Sequence, residues 1–448
     1  MQKLTQYIIS FLLGENAHEQ AISSVGYTTN PAEFARYKVV IFPSGFFDAG
    51  HYDTPASLPP AHLSKIDGTP LLYGNLKEEI VGNTLVLYAD FIASAFFLLS
   101  RYEEWLQPNL RDRHGRFTGK DSTAYKAGVV QRPIVDEYGA ILRSCLRRQG
   151  VEIAEPPAKI AKVYLTHDVD IPFFFRNLRH VASSFFRALI HRNKLPRIGG
   201  SMLIGMFKSF FGRITDDPAF SFPWIFKQNK TFQETAKMPT QSILFVKATT
   251  RKYARQDKPV YKLKSKDIKY LLNLAQNWGA QIGLHASYLS GDKPELVNME
   301  KEILEKNIAK KIRSNRYHFL HTKNPADMQV LIDAGISNDF TLGYADTAGF
   351  RLGTCRPVRW INPENKQVSK LILHPLTVMD VSLSEKKYMN LTYENAISCV
   401  KNLAEQVAKH NGELVLLWHN TSFIDNLEFD HKTLYTNMLS HIKTLSYE

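Results

Sequence analysis

Thr166-His167-Asp168-Val169-Asp170 is the stretch on which the reading of this chain turns. The run before it, Ala161-Lys162-Val163-Tyr164-Leu165, is short and apolar, and Pro172 follows close behind. That pattern predicts a buried strand giving way to a loop. Two carboxylates spaced i, i+2 fall on the same side of a chain that is still extended. Like charges that close raise each other's pKa unless a cation lies between them. A metal ion with one Asp as ligand and the other free as a base meets that condition. A plain strand-end turn, where Asp is common, also accounts for the spacing.

The other strand ends decide between these readings. From residue 240 strands and helices alternate. Ser242–Val246 reads as a strand, Lys266–Trp278 as a helix, and Ala280–Leu284 as a strand that delivers His285. Leu296–Ile308 has helical spacing. Arg316–Leu320 is strand-like and puts Arg316 and His318 on one face. Lys370–Leu373 is a strand running into His374, Leu391–His410 a long helix, and Glu413–Trp418 a strand that delivers His419. Such alternation implies a parallel sheet, and polar groups gathered at the carboxyl ends of strands imply a barrel-type site. Asp and His together suit Zn²⁺ or another divalent cation with a position left open for water.

With these residues in place, the segment from about 160 to 440 resembles the polysaccharide deacetylase family. Thr166–Asp170 corresponds to its first motif and Gly283-Leu284-His285-Ala286-Ser287 to its second. Arg316 matches the third, and Trp418-His419-Asn420 the closing one. The resemblance implies a distorted (β/α)7 barrel and a hydrolase that uses a divalent metal to remove an acyl group, usually acetyl, from a sugar. It also implies roles: Asp168 as general base, Asp170 and His285 as metal ligands, Arg316 as the group orienting Asp168, and His419 as general acid. The family's second motif usually carries another His four residues on, where this chain has Leu289. His318 is the expected replacement and His167, where the family has an aromatic residue, a weaker one. A glycan-binding barrel that has lost its metal is the alternative. Tyr288, Tyr344, Phe350 and Trp360 are candidates to stack on sugar rings, Arg351 to meet an anionic group of the substrate, and Asp380 a further site candidate.

The N-terminal part, 1–155, reads as an α/β domain of unknown role, separated from the barrel of 156–448 by Pro156-Pro157. It resembles an uncharacterised domain that precedes such barrels. Lys38–Phe42 and Thr84–Tyr88 are expected strands, and Phe91–Leu106 a buried helix capped by Asp90. Asp112–Arg116 reads as a loop, and Ile141–Gln149 as the tail of a helix. Arg116, Asp136 and the Arg101/Glu103/Glu104 group are expected to form salt bridges at a domain interface.

The chain has 448 residues, 44% of them hydrophobic and 22% charged, which excludes wholesale disorder. Its net charge of +13 permits an acidic partner, but no finger, basic repeat or RNA-binding signature is present, so no nucleic-acid partner is expected. Three widely spaced cysteines fit neither a disulfide framework nor a zinc knuckle. The apolar run Tyr7–Leu13 lacks a cleavage site and is expected as a first strand or helix, hence a cytoplasmic protein. Residues 173–215 carry apolar residues at helical spacing, with six arginines and lysines from Arg176 to Arg197. Two readings follow: a peripheral membrane contact, or an insertion packed over the barrel mouth.

Overall fold

The computed structural model describes residues 1–174, 213–249, 252–424 and 429–445. The basic amphipathic insertion at 173–215 therefore lies almost wholly outside the described residues. Among those described, no helix is long and apolar enough to cross a membrane.

The first 150 residues build a small four-stranded sheet. In chain order the strands are β1 (Val25–Tyr27), β2 (Val39–Ile41), β3 (Lys65–Ile66), β4 (Thr69–Pro70), β5 (Gly74–Val81) and β6 (Thr84–Ala89). The sheet runs β1-β2-β6-β5, parallel except for the β5–β6 hairpin, and β3–β4 is a separate hairpin. The apolar run expected as a first strand or helix is the helix Gln2–Leu13, with Leu4, Ile8, Ile9, Leu12 and Leu13 buried against the helix Ile134–Arg148. Asp90 caps its helix as expected, accepting the Ala93 amide at 2.9 Å. That helix stops at Leu99 rather than Leu106: Arg101 takes the left-handed conformation (φ 60°) and a second short helix, Tyr102–Leu106, starts after it.

A nine-stranded sheet follows: β7 (Lys162–Val169), β8 (Thr240–Val246), β9 (Gln281–Ala286), β10 (Ser314–Tyr317), β11 (Asn338–Asp339), β12 (Val358–Ile361), β13 (Val368–Leu373), β14 (Leu376–Met379) and β15 (Glu413–Leu417). Its order is β12-β13-β11-β10-β9-β8-β7-β15-β14, all pairs parallel except β12–β13. The sheet curls on itself, and backbone bonds from Leu376 N to Leu342 O and from Gly349 N to Thr377 O, both 3.0 Å, bring its two arms together. Tyr164, Ile243, Phe245, Phe340, Val415 and Leu417 pack on the concave side. Val163, Leu165, Leu244, Leu284 and Leu416, at the alternate positions, join the large outer core with the helices. This two-sided burial is why the strands read as continuous apolar runs.

The two parts are joined by buried charge. Glu104 is held by Arg101 (2.5 Å) and by Arg351 through two bonds of 2.9 and 2.7 Å. Arg351 also donates to the Gly343 carbonyl. Asp136 accepts from Thr354, the Cys355 amide and Arg356. Burial pushes the Glu104 carboxyl up, but Arg101 and Arg351 outweigh it and hold the group down at about 2. A folded-state pKa below the unfolded one means the stabilisation is present above about pH 4.3 and is lost as pH falls towards 2. Glu104→Gln leaves two arginines buried without a counter-charge. It is expected to cost about 3–5 kcal/mol in urea unfolding at pH 7, with the gap to wild type closing as the pH is lowered towards 2.

Candidate metal centre

The alternation of β7 aims Thr166, Asp168 and Asp170 to the concave side and His167 to the outer one. Next door, Gly283 of β9 leaves room for the Phe245 ring: a Cβ there would sit 2.5 Å from it. Arg316 of β10 lies over the other part of that ring, its guanidinium carbon 4.6 Å from the centroid. From this seat Arg316 donates to Thr166 Oγ1 at 2.8 Å, to the Phe340 carbonyl at 3.0 Å and to Asp168 Oδ1 at 3.0 Å. Asp168 and Arg316 are both buried.

Asp170 Oδ1 lies 3.1 Å from His285 Nε2 and 3.2 Å from His318 Nε2. Donor atoms of these three residues all lie within 4.8 Å of one another. The far nitrogens of both rings are already committed. His285 Nδ1 is 2.9 Å from the Arg316 carbonyl, and His318 Nδ1 is 3.1 Å from Asp257 Oδ1. A carbonyl and a carboxylate call for N–H at Nδ1, so a neutral ring turns its Nε2 lone pair inward. Three lone pairs thus meet at one point, an arrangement that needs protons or a cation. The donor set, one carboxylate and two imidazoles, fits Zn²⁺ with a position left for water.

On the opposite rim His419 Nε2 is 3.6 Å from Asp170 Oδ2. Its Nδ1 is 2.8 Å from Asp380 Oδ1, and Asp380 Oδ2 also accepts the His419 amide and the Ser422 hydroxyl. Burial works against a charge on His419, but Asp380 overrides it and raises the ring to about 10. Asp170 is held well below the carboxylate range: burial opposes ionisation, and His318 and His285 overcome it.

The structure therefore brings Asp168, Asp170, His285, Arg316, His318 and His419 together. The strand reading of 316–320 is amended, because β10 ends at Tyr317 and a turn with Phe319 at φ 63° follows. His318 still reaches the centre. His167 does not: it is fully buried on the outer face, between the Trp418 carbonyl (2.8 Å) and Asn229 (2.9 Å), and burial lowers it to about 4.

The expected substrate contacts are corrected. Arg351 is buried and its charge is paired with Glu104, so it is not presented to an anionic substrate. Tyr344, Phe350 and Trp360 are buried, and Trp360 bonds the Pro325 carbonyl. Tyr288 is 7% exposed, with its ring stacked 3.9 Å from His321. The ring that is open beside the centre is Phe319, 37% exposed, edge-on to His318 at 4.7 Å. The sequence reading also missed Asp257 and Lys247. Asp257 accepts the Ala254 and Tyr288 amides, and buried Lys247 donates to its main-chain oxygen at 3.1 Å. No local motif marks either. Asp380 had one clue, a carboxylate at the end of an apolar run.

Residues 4–151 match a family of unknown function, DUF7033. No curated protein matches the chain. Among solved structures, a protein described as a polysaccharide deacetylase from Mycobacterium smegmatis is 13% identical with a TM-score of 0.41, covering 65% of this chain and 86% of its own. A polysaccharide deacetylase from Bacillus cereus is 11% identical with a TM-score of 0.27, covering 65% and 90%. At these scores neither likeness bears on the site, whose reading rests on the side chains above.

His167→Leu is expected to cost about 1–3 kcal/mol through the partners it strands, measured by urea unfolding. Its content of divalent metal, read by mass spectrometry, should equal that of wild type. A loss of metal would make His167 part of the centre.

Proposed function

We propose that the chain is a metal-dependent hydrolase that removes an acyl group, acetyl in the first instance, from an acylated sugar, on a distorted (β/α)7 barrel. The observation that carries the metal reading is the meeting of Asp170 Oδ1, His285 Nε2 and His318 Nε2, with both remaining ring nitrogens tied to acceptors. The sugar class rests on the four motifs Thr166–Asp170, Gly283–Ser287, Arg316 and Trp418–Asn420.

A divalent ion bound there supplies a Lewis acid for the acyl oxygen and lowers the pKa of water. The protein supplies the rest. Asp168 takes the proton of the attacking water, its second oxygen being free of Arg316. Arg316 fixes the carboxylate in place. His419 returns a proton to the leaving nitrogen or oxygen through Nε2, with Asp380 holding the proton on Nδ1. Phe319, 37% exposed beside His318, supplies an aromatic ring suited to packing on a sugar's apolar face.

The reading as a glycan-binding barrel without metal rests on Leu289, and the arrival of His318 at the centre weakens that ground. Metal analysis by mass spectrometry tests the choice. Wild type is expected to retain about one divalent ion per chain, and His285→Ala and His318→Ala far less. Asp168→Asn is expected to keep the ion and lose acetate release from acetylated chito-oligosaccharides by roughly 10²–10⁴-fold. Equal metal in wild type and His285→Ala would overturn the proposal.

A further inference from the structure

The Asp112–Arg116 loop of the N-terminal part has no role in the chemistry above, yet it is seated on the turn that carries His318. We propose that Arg116 is a positioning residue of the metal centre. By pinning the Phe319 carbonyl it keeps His318 Nε2 on the point shared with His285 and Asp170. The inference rests on the metal reading and gives the N-terminal part a share in it.

Three observations converge. First, Phe319 and Leu320, directly after His318, both have positive φ (63° and 54°). Neither is glycine, and non-glycine residues hold that conformation only where their surroundings enforce it. Second, the enforcing contact is visible. Buried Arg116 donates from Nη1 to the Phe319 carbonyl at 3.0 Å. Its other donors are fixed by Asp112 at 2.9 and 2.7 Å and by the Tyr388 hydroxyl at 3.2 Å. Tyr388 lies just beyond the helix Asp380–Ser384, which starts at the carboxylate that orients His419. One guanidinium thus links the chain segments behind both sides of the centre.

Third, the loop is built for close approach. Gly115 has φ 71°, and a Cβ there would lie 2.6 Å from Lys323 Cε and 3.2 Å from His321 Nε2. Arg111 donates to the Lys323 carbonyl at 3.0 Å, so the loop bonds both ends of the 319–323 segment. Without Arg116 the turn can relax towards ordinary φ values and swing the imidazole of His318 off its point. Partners that orient a metal ligand typically govern affinity by 10–100-fold.

The test titrates the full chain with Co²⁺, following visible absorption and binding heat, in wild type, Arg116→Ala, Arg116→Lys and His285→Ala. Arg116→Ala is expected to bind roughly 10–100-fold more weakly than wild type, with an altered Co²⁺ spectrum and an unchanged far-ultraviolet circular dichroism spectrum. Millimolar guanidinium is expected to restore part of that affinity, where sodium chloride at equal ionic strength does not. Arg116→Lys keeps the charge but not the fork and should fall between the two. Wild-type affinity and spectrum in Arg116→Ala, beside a His285→Ala that binds nothing, would overturn the clamp and leave the metal reading standing. Failure of the wild type to bind Co²⁺ would overturn both. If Arg116→Ala does not fold, Arg116→Lys carries the comparison, and wild-type affinity there overturns the proposal.

Discussion

Asp170 differs from the other carboxylates at this rim in what faces it, and much of the site's design follows from that difference. Asp168 has Arg316, Asp380 has His419 and Ser422, and Asp257 has His318 and three backbone amides. Each is a buried charge with a dedicated partner, as burial requires. Asp170 faces three imidazole nitrogens whose rings already give their Nδ1 protons elsewhere, with the charge of Lys247 nearby. Among the described residues its charge is balanced by protons on those rings and by the nearby buried Lys247. On the proposed reading a single divalent cation among these donors would resolve the crowding of lone pairs.

The concave-side spacing was readable because strands have a period of two. Asp168 and Asp170 at the end of β7, and Arg316 and His318 at the end of β10, needed only that alternation and the knowledge of where each strand stops. His285 and His419 were readable as the residues after apolar runs. The supporting groups were not. Asp257 stands in a loop of charged residues with no periodic signal, and Lys247 looks like any lysine past a strand end. Their importance comes from contacts with residues tens of positions away, which no local pattern encodes. The aromatic candidates failed for a related reason. Tyr344 and Phe350 sit in loops, where exposure is the usual expectation, but the N-terminal part covers that face and turns loop positions into core, and Trp360 is an inward position of β12. Arg351 failed with them, because its partner Glu104 lies 247 residues away.

That covering also changes what the N-terminal part means. An appended domain with a separate task would be expected to meet its neighbour through a modest polar interface. Here Glu104 and Asp136 are buried with arginines and amides from 351–356, and Gly349 sits against the Val130 carbonyl. Buried ion pairs are costly to break and gain little over apolar packing, so they favour one docked geometry over others more than they add stability. A fixed docking geometry is also what a loop needs if it is to hold a strained turn at the metal rim.

Leu289 is where this arrangement departs furthest from the resemblance that introduced it. A histidine four residues after His285 would stand on the short helix Tyr288–Asp292. In this chain that helix contributes backbone rather than a ligand. The Tyr288 and Leu289 amides donate to Asp257, at 2.6 and 3.3 Å, and Asp257 in turn holds Nδ1 of His318. The segment that would have carried a ligand thus braces the carboxylate behind its replacement. On the proposed reading the ligand moves to His318, just past the end of β10 and two residues from Arg316, so the end of one strand serves both the base and the metal. That move also places the ligand immediately before two left-handed residues, where it depends on support from outside the sheet. The buried carboxylate of Asp257 holds its ring, and the Arg116 loop is proposed to hold its backbone.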